Sequence, residues 1–278
     1  MKIIECPRDA MQGLSEFVAT GLKVDYINKL LKIGFDTIDF GSFVSPKAIP
    51  QMRDTGEVLE QLDLAASQSK LLAIVANRRG AEDASSFDEI DYFGFPLSVS
   101  ETFQERNTNK SVDQAMHTVG EIQEIAVRKS KKQVVYLSMG FGNPYGDPYS
   151  EDILSAFTAK LQQMGVDIVS LADTVGTSTP EQITRVFGHL LQEFPLVQFG
   201  AHLHSTPETA KEKVRAVLEA GCERIDGALL GYGGCPMAKD DLTGNIDTQL
   251  ILDETGLEGK VNYEALAEAK LVAHQIFG

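Results

Sequence analysis

Short apolar runs rich in Val, Ile and Phe recur along the chain, each followed by a longer amphipathic stretch. This alternation constrains the fold more than any other feature. The runs fall at residues 2–6, 37–41, 71–76, 92–95, 134–139, 168–171, 197–201 and 224–228. Runs this short, bounded by turn residues, read as buried strands, and the segments between them have helical spacing. Ile27, Leu30 and Leu31 mark a helix over 24–33. Met116, Val119, Ile122 and Ile125 mark one over 112–127, and Leu154, Phe157 and Leu161 one over 153–164. Gly34, Gly165 and Gly221 stand at helix exits, while Ser178-Thr179-Pro180-Glu181 and Ser205-Thr206-Pro207-Glu208 have the composition of helix starts. A last helix is expected over 263–277.

Strands alternating with helices in this number predict an α/β fold of the (β/α)8 TIM-barrel type with extra C-terminal helices. A doubly wound open sheet is the alternative, but no G-x-G-x-x-G follows the first strand. No Pro/Gly/Ser-rich linker interrupts the pattern, so residues 1–278 read as a single catalytic domain.

The formal net charge of −15 argues against nucleic acid or an anionic membrane as partner. No uncharged apolar run approaches the length of about 18 residues that a membrane span requires. The first residues lack the apolar centre of a signal peptide. The three cysteines, Cys6, Cys222 and Cys235, are too few for a disulfide framework. The expected location is the cytoplasm.

A barrel places its chemistry at the C-terminal ends of its strands. There the sequence has Cys6-Pro7-Arg8-Asp9, Asp39-Phe40-Gly41-Ser42, Ala172-Asp173-Thr174, His202-Leu203-His204 and the loop Gly231-Tyr232-Gly233-Gly234-Cys235-Pro236. Two residues apart on a strand, His202 and His204 share one face. They are half of a metal site or two rings that cap polar backbone. Asp9 is the candidate third ligand. A carboxylate, two imidazoles and open positions suit a divalent cation: Mg²⁺, Mn²⁺ or Zn²⁺. Arg8 either polarises a carbonyl or braces the barrel mouth through an ion pair. Cys235, in a glycine-rich loop, is either an acid/base or nucleophile on a lid, or a small buried residue. Cys6 and Cys222 read as core. Lys47, Asn77 and Arg78, with Arg79, lie after strands two and three as candidates for an anionic cofactor moiety or as solvated surface.

Arg8-Asp9 with Gln12, His202-x-His204 and Asn245 resemble the metal-dependent lyase and Claisen-condensing TIM barrels, which include isopropylmalate and homocitrate synthases. Ser42-Phe43-Val44-Ser45-Pro46-Lys47, Ile49-Pro50-Gln51-Met52, Asp173-Thr174-x-Gly176 and Gly231-x-Gly233-Gly234-Cys235-Pro236 resemble the 3-hydroxy-3-methylglutaryl-CoA lyase family in particular. The resemblance implies a cation held by Asp9, His202, His204 and Asn245. It implies catalytic roles for Arg8, Asp9, Asp39, Asp173, His202 and Cys235, an acyl-CoA substrate and a homo-oligomer, dimer or tetramer. The implied reaction is retro-Claisen cleavage to acetyl-CoA and acetoacetate. His202 or Asp9 would take the hydroxyl proton, Arg8 would stabilise the enolate oxygen, and Cys235 would protonate the carbanion. The chain departs from the family pattern in Ala10-Met11, in Asp39 where Glu is usual, in Ser205 after the second histidine, and in Gln249-Leu250. A synthase joining acetyl-CoA to an α-keto acid, and a barrel that binds metabolites with little turnover, are the alternative functions.

Overall fold

The computed structural model describes residues 1–65, 67–234, 243–257 and 260–278. In chain order the first elements are β1 (Lys2–Glu5), α1 (Pro7–Gln12), α2 (Thr20–Leu31), β2 (Thr37–Ser42), α3 (Thr55–Leu59), β3 (Lys70–Ile74), α4 (Arg78–Ala84) and β4 (Ile90–Ser98). Then come α5 (Glu101–Thr108), α6 (Val112–Arg128), β5 (Lys132–Ser138), α7 (Glu151–Gln163), β6 (Ile168–Asp173), α8 (Pro180–Glu193) and β7 (Gln198–Ser205). The chain ends with α9 (Pro207–Glu219), β8 (Arg224–Gly227), β9 (Gly244–Asn245), α10 (Thr248–Thr255) and α11 (Tyr263–Phe277).

Strands β1 to β8 pair in parallel with their sequence neighbours, and β8 returns to β1. The sheet closes on itself as a TIM barrel. The expected strands are all present, and β4 and β7 run furthest beyond their apolar runs. β4 extends to Ser98 because it pairs with β5 rung by rung up to Ser138. β7 continues through both histidines to Ser205, so His202 and His204 sit within a strand, not beyond one. Cys6-Pro7-Arg8-Asp9, read as a strand end, is in fact the start of a helix. Proline at the first helical position has its φ already set and no N–H to leave unpaired.

Alternation along the strands builds two apolar layers. Val135, Leu137, Val169, Leu171 and Leu203 face out and pack under the helices, while Leu72, Ile74, Val134, Tyr136 and Ile168 fill the barrel interior. Each such side chain removed from water contributes about 1.5–3 kcal/mol. Cys6 and Cys222 are buried, as expected of core cysteines. Thr179 caps α8 as its sequence suggests, through a bond from the Gln182 N–H. Thr206 occupies the N-cap of α9 without a side-chain cap bond.

Candidate active site

At the C-terminal mouth of the barrel lies a cavity of about 300 Å³ with a mixed polar and apolar lining. Arg8, Asp9, Gln12, Thr174, His202 and His204 give it its polar lining, and Val44, Ile49, Ile74, Pro96, Phe103 and Tyr136 its apolar lining.

Helix α1 presents Arg8 and Asp9 together. The Arg8 guanidinium meets Asp39 on β2 through Nε, 3.1 Å from both carboxylate oxygens, and through Nη2. Its Nη1 donates to Asp9 Oδ1 at 2.8 Å. A guanidinium has five N–H groups, so two remain for a ligand after these contacts. Burial raises Asp39 to about 6, and Arg8 limits that rise. Burial would also raise Asp9, but Arg8, the two imidazoles and the Asn245 amide outweigh it and hold its carboxyl at about 2. Asp9 is therefore a carboxylate at neutral pH.

His202 and His204 point inward from β7, and one ligand atom from each lies within 4.8 Å of the other and of an Asp9 oxygen. His202 Nδ1 is 3.0 Å from Asp226 Oδ2 on β8. His204 Nδ1 is 3.1 Å from the Thr174 carbonyl, which can only accept, so Nδ1 carries the proton. Its Nε2 is buried and has no hydrogen-bond partner among the described residues. Burial, then the charge of His202, favour the neutral form of His204. For His202 burial works the same way, but Asp226 overcomes it and raises the ring.

Asn245 reaches the site on β9, which pairs antiparallel with the end of β7 and sets Asn245 opposite His204. Its Nδ2 donates to Asp9 Oδ2 and to the Tyr232 carbonyl, both at 2.9 Å. No hydrogen bond among the described residues occupies its Oδ1. Gly233 passes close by. A Cβ there would lie 2.7 Å from Asn245 Nδ2 and 2.8 Å from Ala10 Cα, so no other residue fits.

This donor set fits a divalent cation. A buried imidazole nitrogen with a free lone pair, a second imidazole backed by a carboxylate, an ionised carboxylate and an amide oxygen are oxygen and nitrogen ligands of the kind Mg²⁺, Mn²⁺ or Zn²⁺ accept.

Other residues singled out from the sequence lie elsewhere. Asp173 is 1 % exposed, and its oxygens are taken up by the Thr177 and Ser178 N–H groups, the Ser178 hydroxyl and the Lys213 ammonium at 2.8 Å. It braces the loop after β6 and does not line the cavity. Ser205 points to the other face of β7, where its hydroxyl bonds Thr206 and Thr209. Asn77 caps α4 through the Gly80 N–H, Arg78 pairs with Glu82 at 2.9 Å, and Lys47 is exposed. These three share the barrel end with the cavity without lining it. Cys235 lies outside the described residues. Sequence reasoning missed Asp226, Tyr136 and Lys213. The inward alternation of Arg224 and Asp226 on strand eight was the available signal for Asp226.

A family model described as HMGL-like matches residues 2–271. The chain belongs to the HMGL-like family. It is 33 % identical over 268 residues to the hydroxymethylglutaryl-CoA lyase YngG of Bacillus subtilis, covering 95 % of this chain and 88 % of that protein. With the mitochondrial hydroxymethylglutaryl-CoA lyase of Mus musculus it shares 31 % identity, covering 97 % of this chain and 83 % of the relative. A solved HMG-CoA lyase from Acinetobacter baumannii, in complex with coenzyme A and 3-methylmalate, superposes with a TM-score of 0.90 at 30 % identity, over 99 % of this chain and 90 % of that one. Among the described residues no helix is long and apolar enough to cross a membrane.

Proposed function

We propose that the protein is a divalent-metal-dependent carbon–carbon lyase that cleaves 3-hydroxy-3-methylglutaryl-CoA to acetyl-CoA and acetoacetate. The observation that carries this reading is the convergence of Asp9, His202 and the unpartnered His204 Nε2 beside Arg8, in a chain alike over nearly its whole length to named lyases of this substrate.

Asp9, His202, His204 and Asn245 would hold the cation, which when bound supplies Lewis acidity toward the substrate's hydroxyl and carboxylate oxygens. Asp9 takes the tertiary hydroxyl proton, because His202, with Nδ1–H turned to Asp226 and Nε2 offered to the cation, has no free nitrogen for it. As the oxygen's electron pair forms the ketone of acetoacetate, the C–C bond breaks and its electrons pass into the thioester enolate. Arg8, fixed on one side by Asp39 and Asp9, turns its remaining N–H groups to the enolate oxygen. The enolate carbon then takes a proton from Cys235, giving acetyl-CoA. The apolar lining receives the acyl and pantetheine carbons and keeps water from the carbanion. Lys47, Asn77 and Arg78 are proposed to meet the phosphates of coenzyme A at the rim.

Coupled detection of acetyl-CoA and acetoacetate, with and without Mg²⁺ or Mn²⁺, tests the reading. Equal amounts of both products, formed only with cation, are expected. Release of free CoA from acetyl-CoA plus an α-keto acid, with no cleavage, would replace it with the synthetic direction. His202→Ala should remove most metal affinity while preserving the fold. Action as a single-domain homo-oligomer in the cytoplasm completes the proposal, and buried, unpaired Cys6 and Cys222 support a reducing compartment.

A further inference from the structure

Three neighbours fix the ring of His202. Asp226 Oδ2 lies 3.0 Å from Nδ1. Tyr136 meets the ring edge-on, with centroids 5.6 Å apart at 78°, and His204 does so at 5.2 Å and 68°. Asp226 is 3 % exposed, and the bond to His202 is the only one its side chain makes among the described residues. The pairing of β7 with β8 explains the contact. Gly200 is level with Arg224, so the next inward pair along the two strands is His202 and Asp226.

A carboxylate can only accept a hydrogen bond. In this contact Nδ1 therefore carries the proton, and Nε2 is the nitrogen left to face Asp9 and His204. The Cys6 thiol also lies within 4.8 Å of a His202 ring nitrogen and of an Asp226 oxygen. A thiol is a weak donor and a weak acceptor, and does not fix a tautomer. The two imidazoles are thus unequal. His204 is backed by a neutral carbonyl, His202 by a full negative charge.

We infer that Asp226 is a positioning residue that, by keeping the proton on Nδ1 of His202, presents Nε2 to the cavity and sets its affinity for a divalent cation. The inference rests on the reading of His202 as a ligand. It goes beyond that reading by assigning the support of the metal centre to a strand that supplies no ligand.

Asp226→Asn, His202→Ala and the double variant test it. Mn²⁺ affinity is measured by calorimetry on metal-stripped protein, and the histidine tautomer by long-range ¹⁵N–¹H correlation on histidine-labelled protein. Asp226→Asn should weaken Mn²⁺ binding by about 10–100-fold, the usual effect of removing such support. It should also convert His202 from the Nδ1–H form to a mixture with Nε2–H, because an amide both donates and accepts. The double variant should bind no more weakly than His202→Ala alone, since Asp226 acts only through that ring. Unchanged affinity and tautomer in Asp226→Asn, or additive losses in the double variant, would make Asp226 a packing residue. A loss in His202→Ala with none in Asp226→Asn overturns this inference alone, whereas no loss in His202→Ala overturns the ligand assignment with it. Should Asp226→Asn fail to fold, Asp226→Ser, small enough for the space and too short to reach the ring, carries the same expectations.

Discussion

Asn245 stands directly opposite His204 across the two-residue strand β9, and its amide reaches over to the carboxylate of Asp9, 236 positions away in the chain. One short pairing thus joins the first helix, the seventh strand and the segment that follows the glycine-rich stretch. Asn245 serves the site through both ends of its amide. The N–H groups tie Asp9 and the Tyr232 carbonyl together, and the oxygen is left for a ligand.

Asn245→Ala should therefore weaken both fold and metal binding. Leaving buried acceptors unsatisfied costs about 1–3 kcal/mol, to be read as a lower denaturation midpoint of the metal-free protein. Mn²⁺ affinity should fall in the same variant. A drop in stability with unchanged affinity would leave Asn245 a structural tie only.

Arg8 sits between two carboxylates, and this complicates any single substitution. Arg8→Met should lower kcat by about 10²–10³, the usual loss for one donor to a developing oxyanion. It also strands the buried Asp39, a change that costs about 3–5 kcal/mol. Adding Asp39→Asn removes the stranded charge, so the double variant should regain much of its stability and none of its turnover. If turnover returned with stability, Arg8 would be a brace and the enolate would need another partner.

The barrel was legible in the sequence because its strands are short apolar runs and its helices are amphipathic. Each of these signals needs only local information. What escaped depends on distant pairing. β9 is two residues long and exists because the backbone of β7 is there to receive it. The continuation of β7 through His202 and His204 is polar, so no apolar run marks it. Asp173 looked like a mouth residue because it ends a strand. Alternation sends its side chain away from the cavity, onto Lys213 and the loop. The candidate ligands were legible as residues near strand ends, whereas Asp226, which bonds the ring of one of them, is visible only once two strands are set side by side.

Lys213 and Asp173 make a buried pair at 2.8 Å, and the same ammonium donates to the His204 and Gly176 carbonyls at 2.9 Å. Lys213→Met should destabilise by about 3–5 kcal/mol, because Asp173 is left charged and buried. Lys213→Met with Asp173→Leu removes both charges and should recover most of that loss in a urea titration. A loss of kcat in Asp173→Asn without loss of stability would instead put Asp173 in contact with substrate.

Glu5 gives the clearest pH dependence away from the cavity. It is fully buried on β1, accepting from the Leu229 N–H at 2.8 Å and the Thr248 hydroxyl at 2.5 Å. Burial raises its carboxyl to about 8 from 4.5, and the two hydrogen bonds only partly oppose this. The folded state therefore binds a proton that the unfolded chain has released between those values. Stability from this group falls as pH rises through that window and changes little above or below it. Glu5→Gln has no such proton to lose. The stability of the variant relative to the parent should rise from pH 5 to pH 8 in denaturant titrations. A constant difference across that range would show Glu5 ionised in the fold.

The cysteines give the last prediction. Cys6 is 1 % and Cys222 3 % exposed. Burial pushes the Cys222 thiol up to about 12 and the Cys6 thiol well above its ordinary value, the latter helped by the charges of Asp226 and Asp39. Only a thiolate attacks a thiol reagent at a useful rate, so both should stay silent in the folded protein near pH 8. Any fast label on the native chain then belongs to Cys235, the remaining one of the three cysteines. If Cys235 donates the proton that completes acetyl-CoA, inactivation should follow its labelling in step, and a substrate analogue with Mg²⁺ should slow both. Unfolding should expose the other two. Cys235→Ser should keep Mn²⁺ affinity and thermal stability but lose most turnover, since a serine hydroxyl is too weak an acid to replace a thiol near neutral pH. Native labelling at Cys6 or Cys222 would contradict the packing of the barrel core. Normal turnover in Cys235→Ser would call for another proton donor, and Tyr136, which lines the cavity with a buried hydroxyl that has no partner among the described residues, is the next group to test.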